Sequence, residues 1–139
     1  GRVKLPGGGE VEIIAGEFAG VKGPATTFSP VHLYNLKLKK GETLELDYPA
    51  GYTTAILAVE GSATFNGAET LPTDHLALFA RDGEHITVNA IDDSVLLVMS
   101  GEPLNEPIAQ YGPFLMNTQE EIAQAIHDYQ SGKFGYLAD

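Results

Sequence analysis

Residues Tyr52 to Gly67 read YTTAILAVEGSATFNG, and the reading of this stretch decides the fold. Thr53 to Val59 is β-branched and apolar, Glu60-Gly61 breaks the run, and Ser62 to Phe65 alternates polar with apolar residues. Asn66-Gly67 then marks the next tight turn. The stretch reads as a strand–turn–strand hairpin in the middle of an antiparallel barrel.

Working outward, Val31 to Lys39 (VHLYNLKLK) places His32, Tyr34, Leu36 and Leu38 on one face and Val31, Leu33, Asn35, Lys37 and Lys39 on the other. The first face is expected to point inward because the second ends in lysines. Lys40-Gly41-Glu42 turns the chain into Thr43 to Tyr48, with Leu44, Leu46 and Tyr48 toward the core and Thr43, Glu45 and Asp47 toward water. Further strands are expected at His75 to Ala80, Glu84 to Ala90 and Ser94 to Ser100. Residues 1 to 30 are rich in Gly and Pro and read as an irregular lead-in with one strand, Val11 to Ala15. About eight short strands in one chain of 139 residues predict an all-β single domain, with its barrel over about 11–100.

After Gly101 the character changes. Pro103, Pro107 and Pro113 are expected to forbid regular strands across Glu102 to Pro113, leaving ordered coil wrapped over the barrel. Thr118, with Glu121 three residues on, is a capping box that predicts one C-terminal helix with Ile122, Ala125, Ile126 and Tyr129 as its apolar stripe. Tail and helix together span 101–139.

Composition removes several functions. Without cysteine there is no disulfide framework, thiolate metal site or thiol nucleophile. A net charge of −11 repels phosphate backbones and anionic lipid, so neither direct nucleic-acid binding nor membrane binding is expected. No apolar run approaches the roughly eighteen residues of a membrane span. The expected location is the cytoplasm, with which a cysteine-free chain is compatible. The chain starts Gly-Arg, without an initiator Met, and reads as a processed or excised piece of something longer.

The tail carries a resemblance. Gly101 to Gly135, GEPLNEPIAQYGPFLMNTQEEIAQAIHDYQSGKFG, resembles the C-terminal signature of the pirin family, and Ile13 to Pro30, IIAGEFAGVKGPATTFSP, resembles the start of the same domain. Pirins are bicupins, two barrels in one chain, with an N-terminal barrel that binds iron through three histidines and a glutamate. The resemblance implies that this chain is the second barrel alone, a cupin-type jelly roll without a metal of its own. The iron is then expected on an N-terminal cupin, which becomes the chain's natural partner. Family activities are quercetin 2,3-dioxygenation and, in eukaryotic members, transcriptional co-regulation through protein contacts.

Counting back from Gly61 in the manner of the iron-bearing barrel puts its two His positions on Asp47 and Pro49 and its Glu position on Thr53; proline has no side-chain donor and threonine is a poor ligand, so three of the four ligand places are lost or doubtful. His85 lies near the last ligand position, but alternation turns it outward; His75 begins a strand beside a turn; His127 is a solvated helix residue. His32 is expected to point into the barrel beside Tyr34. There is no Gly-x-Ser-x-Gly elbow, Walker loop or His-Glu-x-x-His, and Gly7 to Gly9 leads into strand-like sequence and not into a helix.

The leading expectation is a non-metal, non-catalytic barrel with inward residues His32, Tyr34, Tyr48 and Phe79 filling it or lining a small pocket. A second reading is a divergent metal-dependent dioxygenase or isomerase-like cupin using His32, His75 or His85 with Asp47 or Glu60. A third is a metal-free barrel that binds a small molecule. Apolar surface left by an absent first barrel also predicts self-association, such as a homodimer.

Overall fold

The computed structural model describes residues 1–137. Two compact units make up the chain, Gly1–Pro103 and Leu104–Asp139.

The first unit is a two-sheet jelly roll. In chain order its strands are β1 (Arg2–Lys4), β2 (Glu10–Ala15), β3 (Glu17–Phe18), β4 (Val21–Lys22), β5 (Val31–Leu38), β6 (Thr43–Asp47), β7 (Thr53–Glu60), β8 (Ala63–Phe65), β9 (Glu69–Leu71), β10 (Leu76–Leu78), β11 (His85–Ala90) and β12 (Ser94–Gly101). One sheet runs β1-β2-β5-β12-β7-β10 and the other β6-β11-β8-β9, with β3 and β4 forming a small separate ribbon. Every pairing is antiparallel.

The alternation read from the sequence sets the core. Tyr34, Leu36 and Leu38 of β5 are buried, as are Leu44 and Leu46 of β6, Tyr48 just beyond it, and Ile86 and Val88 of β11. They meet Ile56, Leu96 and Val98 in one apolar cluster. Each fully buried side chain of this size contributes about 1.5–3 kcal/mol of transfer free energy, so a single polar substitution here is severe.

Two expectations about strands need correction. The Tyr52–Gly67 stretch is not a hairpin: β7 pairs with β12 in the six-stranded sheet, whereas β8 pairs with β11 and β9 in the four-stranded one. Gly61, at φ 71°, turns the corner between sheets, and the true hairpin follows at Asn66-Gly67, both at positive φ. Nor is the lead-in strand-poor. Residues Leu5 to Gly9 close a turn, Leu5 N–H donating to Gly9 O at 2.9 Å and Gly8 N–H to Leu5 O at 3.0 Å, so β1 folds back on β2 with Val3 opposite Val11. Glycine and proline occupy the turns and leave the strands between them intact.

The second unit holds β13 (Ala109–Tyr111), β14 (Phe114–Met116) and α1 (Gln119–Gln130). The expectation of no regular strand before Pro113 is therefore wrong for Ala109 to Tyr111. Pro107 lies before the strand and Gly112-Pro113 form the turn, so neither proline removes a donor from the three-residue ladder. The helix forms as expected: Thr118 Oγ1 accepts from Glu121 N–H at 3.2 Å while Glu121 Oε2 accepts from Thr118 N–H at 3.0 Å. Ile122 and Ala125 are buried, and Ile126 is half-buried. Tyr129, expected in the same stripe, is 66% exposed, with its ring 6.3 Å from that of Phe134. No helix among the described residues is long and apolar enough to cross a membrane.

Candidate functional site

Register brings three inward polar side chains into one row at the end of the six-stranded sheet. Ser100 of β12 lies opposite His32 of β5 on one side and Thr54 of β7 on the other. Thr54 and Ser100 are both buried, and their hydroxyls share a hydrogen bond of 2.7 Å. Their burial is tolerable because each satisfies the other.

His32 is anchored through its second ring neighbour. The Tyr34 hydroxyl donates to Glu17 O at 2.5 Å, so it accepts from His32 Nδ1–H at 2.9 Å. This fixes the His32 tautomer, with Nε2 the unprotonated nitrogen. Burial lowers the His32 pKa, an effect that outweighs the Glu17 backbone carbonyl, so the ring stays neutral. Burial likewise pushes the Tyr34 phenol up to about 12, reinforced by the Glu17 charge.

Aromatic rings close over this row. The His32 ring lies 5.2 Å from Tyr48 and 6.3 Å from Tyr52, while Tyr34 takes Phe18 edge-on at 5.8 Å. Burial raises the Tyr48 pKa, and the neighbouring Tyr34 raises it further. The two hydroxyls nevertheless do not reach hydrogen-bonding geometry, and Tyr48 Oη is a buried polar atom without a partner. Beside it opens a cleft of about 170 Å³, lined by Tyr48, Tyr52, Thr54, Phe79, His85 and Ile86 among others.

The four pocket candidates thus lie in the barrel unit, but with different surroundings. Tyr48 and Phe79 line the cleft, Tyr34 is core, and His32 contacts the cleft's tyrosine walls and borders a groove on the opposite side. Tyr52, Thr54 and Ser100 were not singled out from sequence. The inward alternation of β7 and β12 was a usable signal for Thr54 and Ser100; Tyr52 precedes its strand and gave none.

The remaining histidines lie outside the inward row, His85 at the rim of the cleft. His75 is exposed on a turn, its Nδ1 2.9 Å from Thr73 O. His85 faces outward, as alternation required, and lies opposite Asp47 in the β6–β11 register. Its Nδ1 meets Asp47 Oδ1 at 2.5 Å and its Nε2 meets Glu45 Oε2 at 2.6 Å. Both nitrogens donate, which requires the imidazolium, and the Asp47 hydrogen bond is the leading reason that the His85 pKa is raised. Glu60 is exposed at the far end of β7.

These placements do not fit a three-histidine, one-glutamate iron site. Asp47 and His85 point to solvent and are satisfied by each other, Pro49 has no donor, and the inward row supplies one imidazole and hydroxyls without a carboxylate. Among the described residues no group of three or more His, Cys, Asp and Glu side chains is arranged to hold a metal ion.

The His85 pair makes a pH prediction. A group whose folded pKa exceeds its unfolded value of about 6.5 contributes stability that is complete below that value. The contribution is lost as pH rises through the folded pKa. His85→Ala is therefore expected to lower the melting temperature slightly at pH 5.5 and to leave it unchanged at pH 9. A deficit that is equal at both pH values contradicts the imidazolium assignment.

Comparison with known proteins places this architecture. The profile of the Pirin C-terminal cupin domain family matches residues 33–135. The chain belongs to the pirin family. A solved Acinetobacter baumannii quercetin 2,3-dioxygenase superposes on this pirin domain with a TM-score of 0.89 at 42% identity, covering 99% of this chain and 48% of that one. A Pseudomonas aeruginosa protein named, by inference, as a quercetin 2,3-dioxygenase is 44% identical over 134 residues, which is 96% of this chain and 46% of its own length. Human pirin is 34% identical over 131 residues, covering 91% of this chain and 45% of its own. The pirin domain thus spans a little under half the length of the curated relatives it matches.

Proposed function

We propose that this chain is the docking, non-catalytic half of a two-barrel pirin, and that any quercetin 2,3-dioxygenase or co-regulatory activity of the parent resides with an iron-binding N-terminal cupin. The observation that carries this reading is the donor set of the inward row: His32, Ser100 and Thr54 under Tyr48 offer one imidazole and hydroxyls where the family's iron barrel uses three imidazoles and a carboxylate. The parent is a cytoplasmic protein in this reading, and its contacts are with protein and not nucleic acid, in keeping with a net charge of −11.

Elemental analysis of the untagged chain, together with oxygen uptake in the presence of quercetin, tests the reading. Substoichiometric Fe, Mn, Ni, Cu and Zn with no quercetin-dependent uptake is expected for this chain, against uptake by the two-barrel parent. One tightly held transition metal per chain, or turnover by this chain alone, overturns it.

A further inference from the structure

The turn joining β8 to β9 is built from a residue pair with a reactivity of its own. Ala68 N–H donates to Phe65 O at 3.1 Å, and Asn66 and Gly67 between them lie at φ 51° and 70°, as in a type I′ turn. Such turns select Asn-Gly because both central residues need positive φ. The same pair sets a side-chain amide one residue ahead of a backbone nitrogen that no side chain shields. Both residues are exposed, and nothing lies within 4 Å of where a Gly67 Cβ would stand.

Asn66 differs from the other asparagines of the chain. Asn35 Nδ2 donates to Glu12 Oε2 at 3.3 Å, Asn89 Nδ2 to Thr43 Oγ1 at 2.8 Å and Asn117 Nδ2 to Pro107 O at 2.9 Å. Each of these holds the nitrogen that would have to leave in a deamidation. They are followed by Leu36, Ala90 and Thr118, and Asn105 by Glu106, so a side chain crowds the attacking nitrogen at all four. At Asn66 the bonding is reversed: Oδ1 accepts from Thr87 N–H at 2.9 Å, whereas among the described residues Nδ2 has no partner. Thr87 N–H therefore points at the oxygen that gains negative charge when a nucleophile adds to Cγ, and a donor so placed stabilises an oxyanion.

We propose that Asn66 is a modification site of the folded chain, deamidating through a succinimide closed by the Gly67 nitrogen. Gly67 N bonds to Asn66 Cγ, the Cγ–Nδ2 bond breaks, and the Gly67 amide proton leaves with Nδ2 as ammonia. Water then hydrolyses the imide. Cleavage of the new bond to Cγ gives aspartate; cleavage of the bond to the Asn66 backbone carbonyl carbon gives isoaspartate, whose main chain runs through Cβ and Cγ. The aspartate keeps an acceptor for Thr87 N–H. The isoaspartate lengthens a two-residue turn by one carbon, which disturbs the pairing of Phe65 with Glu69. Either product adds a carboxylate to the cleft that Asn66 lines together with Asp82 and Glu84.

The test incubates the folded chain at pH 6 and pH 8.5 and maps its peptides by mass spectrometry, with aspartate and isoaspartate separated by chromatography. Conversion is expected at Asn66 ahead of Asn35, Asn89, Asn105 and Asn117, with both products formed. It is expected to run faster at pH 8.5, because the attacking nitrogen must lose its proton. Exposed turn tips open at a free energy near zero, so the rate in the folded chain is expected within about tenfold of the rate in denaturant. Gly67→Ala, whose methyl group hinders ring closure, is expected to slow conversion severalfold.

An Asn66 amide that outlasts any of the other four overturns the proposal. So does aspartate as the sole product, which marks direct hydrolysis without a succinimide, or an unchanged rate in Gly67→Ala. Suppression by more than about tenfold relative to denaturant assigns the reaction to the unfolded chain and overturns it as well.

Discussion

Gly61→Ala is expected to lower the stability of the barrel unit by about 2–5 kcal/mol, a melting shift on the order of 10 °C or more. Two penalties combine. Gly61 sits at φ 71°, where any L side chain is strained by about 1–2 kcal/mol. A Cβ there would also run into the carbonyl oxygen of Asp93 and lie 2.5 Å from Ser94 Oγ and 2.9 Å from Ser94 Cα. Those atoms belong to the corner leading into β12, and Ser94 Oγ is already fixed by bonds to Ser62 O at 3.0 Å and Asp92 O at 2.7 Å. They cannot retreat without disturbing a second sheet crossing, so overpacking adds about 1–3 kcal/mol. Gly67→Ala is the control: φ there is 70°, but nothing lies within 4 Å of the added atom, so only the strain of about 1–2 kcal/mol is expected. Denaturant unfolding of the two variants decides the matter, and equal losses would show that crowding at the corner is unimportant.

Gly61 also marks where sequence reading stopped. The break after Glu60 was legible because a β-branched run ends at a glycine, but periodicity is the same whether the following strand turns back on its own sheet or crosses to the other. That choice depends on the far partners β11 and β12, which a local pattern does not contain. Inward and outward faces were legible for β5, β6 and β11 because alternation with period two survives any choice of partner. His85 illustrates both sides: its outward direction followed from EHITVNA, whereas its clamp between Asp47 and Glu45 needed the β6–β11 register. The inward row His32–Ser100–Thr54 is likewise a property of register across three strands. Two small hydroxyl residues in apolar strands gave no reason to join them until pairing set them side by side.

Glu42→Ala is expected to cost about 2–4 kcal/mol, an effect that composition alone would never assign to one of nineteen acidic residues. The Glu42 carboxylate is buried at the turn between β5 and β6, where Oε2 accepts from Lys39 N–H at 3.0 Å and Oε1 accepts from Gly9 N–H at 3.3 Å. Two distant turns are thereby tied by one side chain. Gly7 and Gly9 are glycines because they wrap this carboxylate: a Cβ on Gly7 would come within 2.6 Å of Oε1, and one on Gly9 would meet Oε2 and lie 2.5 Å from Lys37 O. Removing the carboxylate leaves two backbone donors without acceptors, each at a penalty of about 1–3 kcal/mol, partly relieved where water reaches Lys39. Glu42→Gln separates hydrogen bonding from volume. Its one carbonyl oxygen can serve only one of the two donors, and its amide nitrogen then faces the other donor to donor. A loss between those of wild type and Glu42→Ala is therefore expected in the same denaturant experiment. If Gln instead matches wild type, the second acceptor is dispensable and the glycine run must be explained by the turn conformation of Leu5 to Gly9 alone.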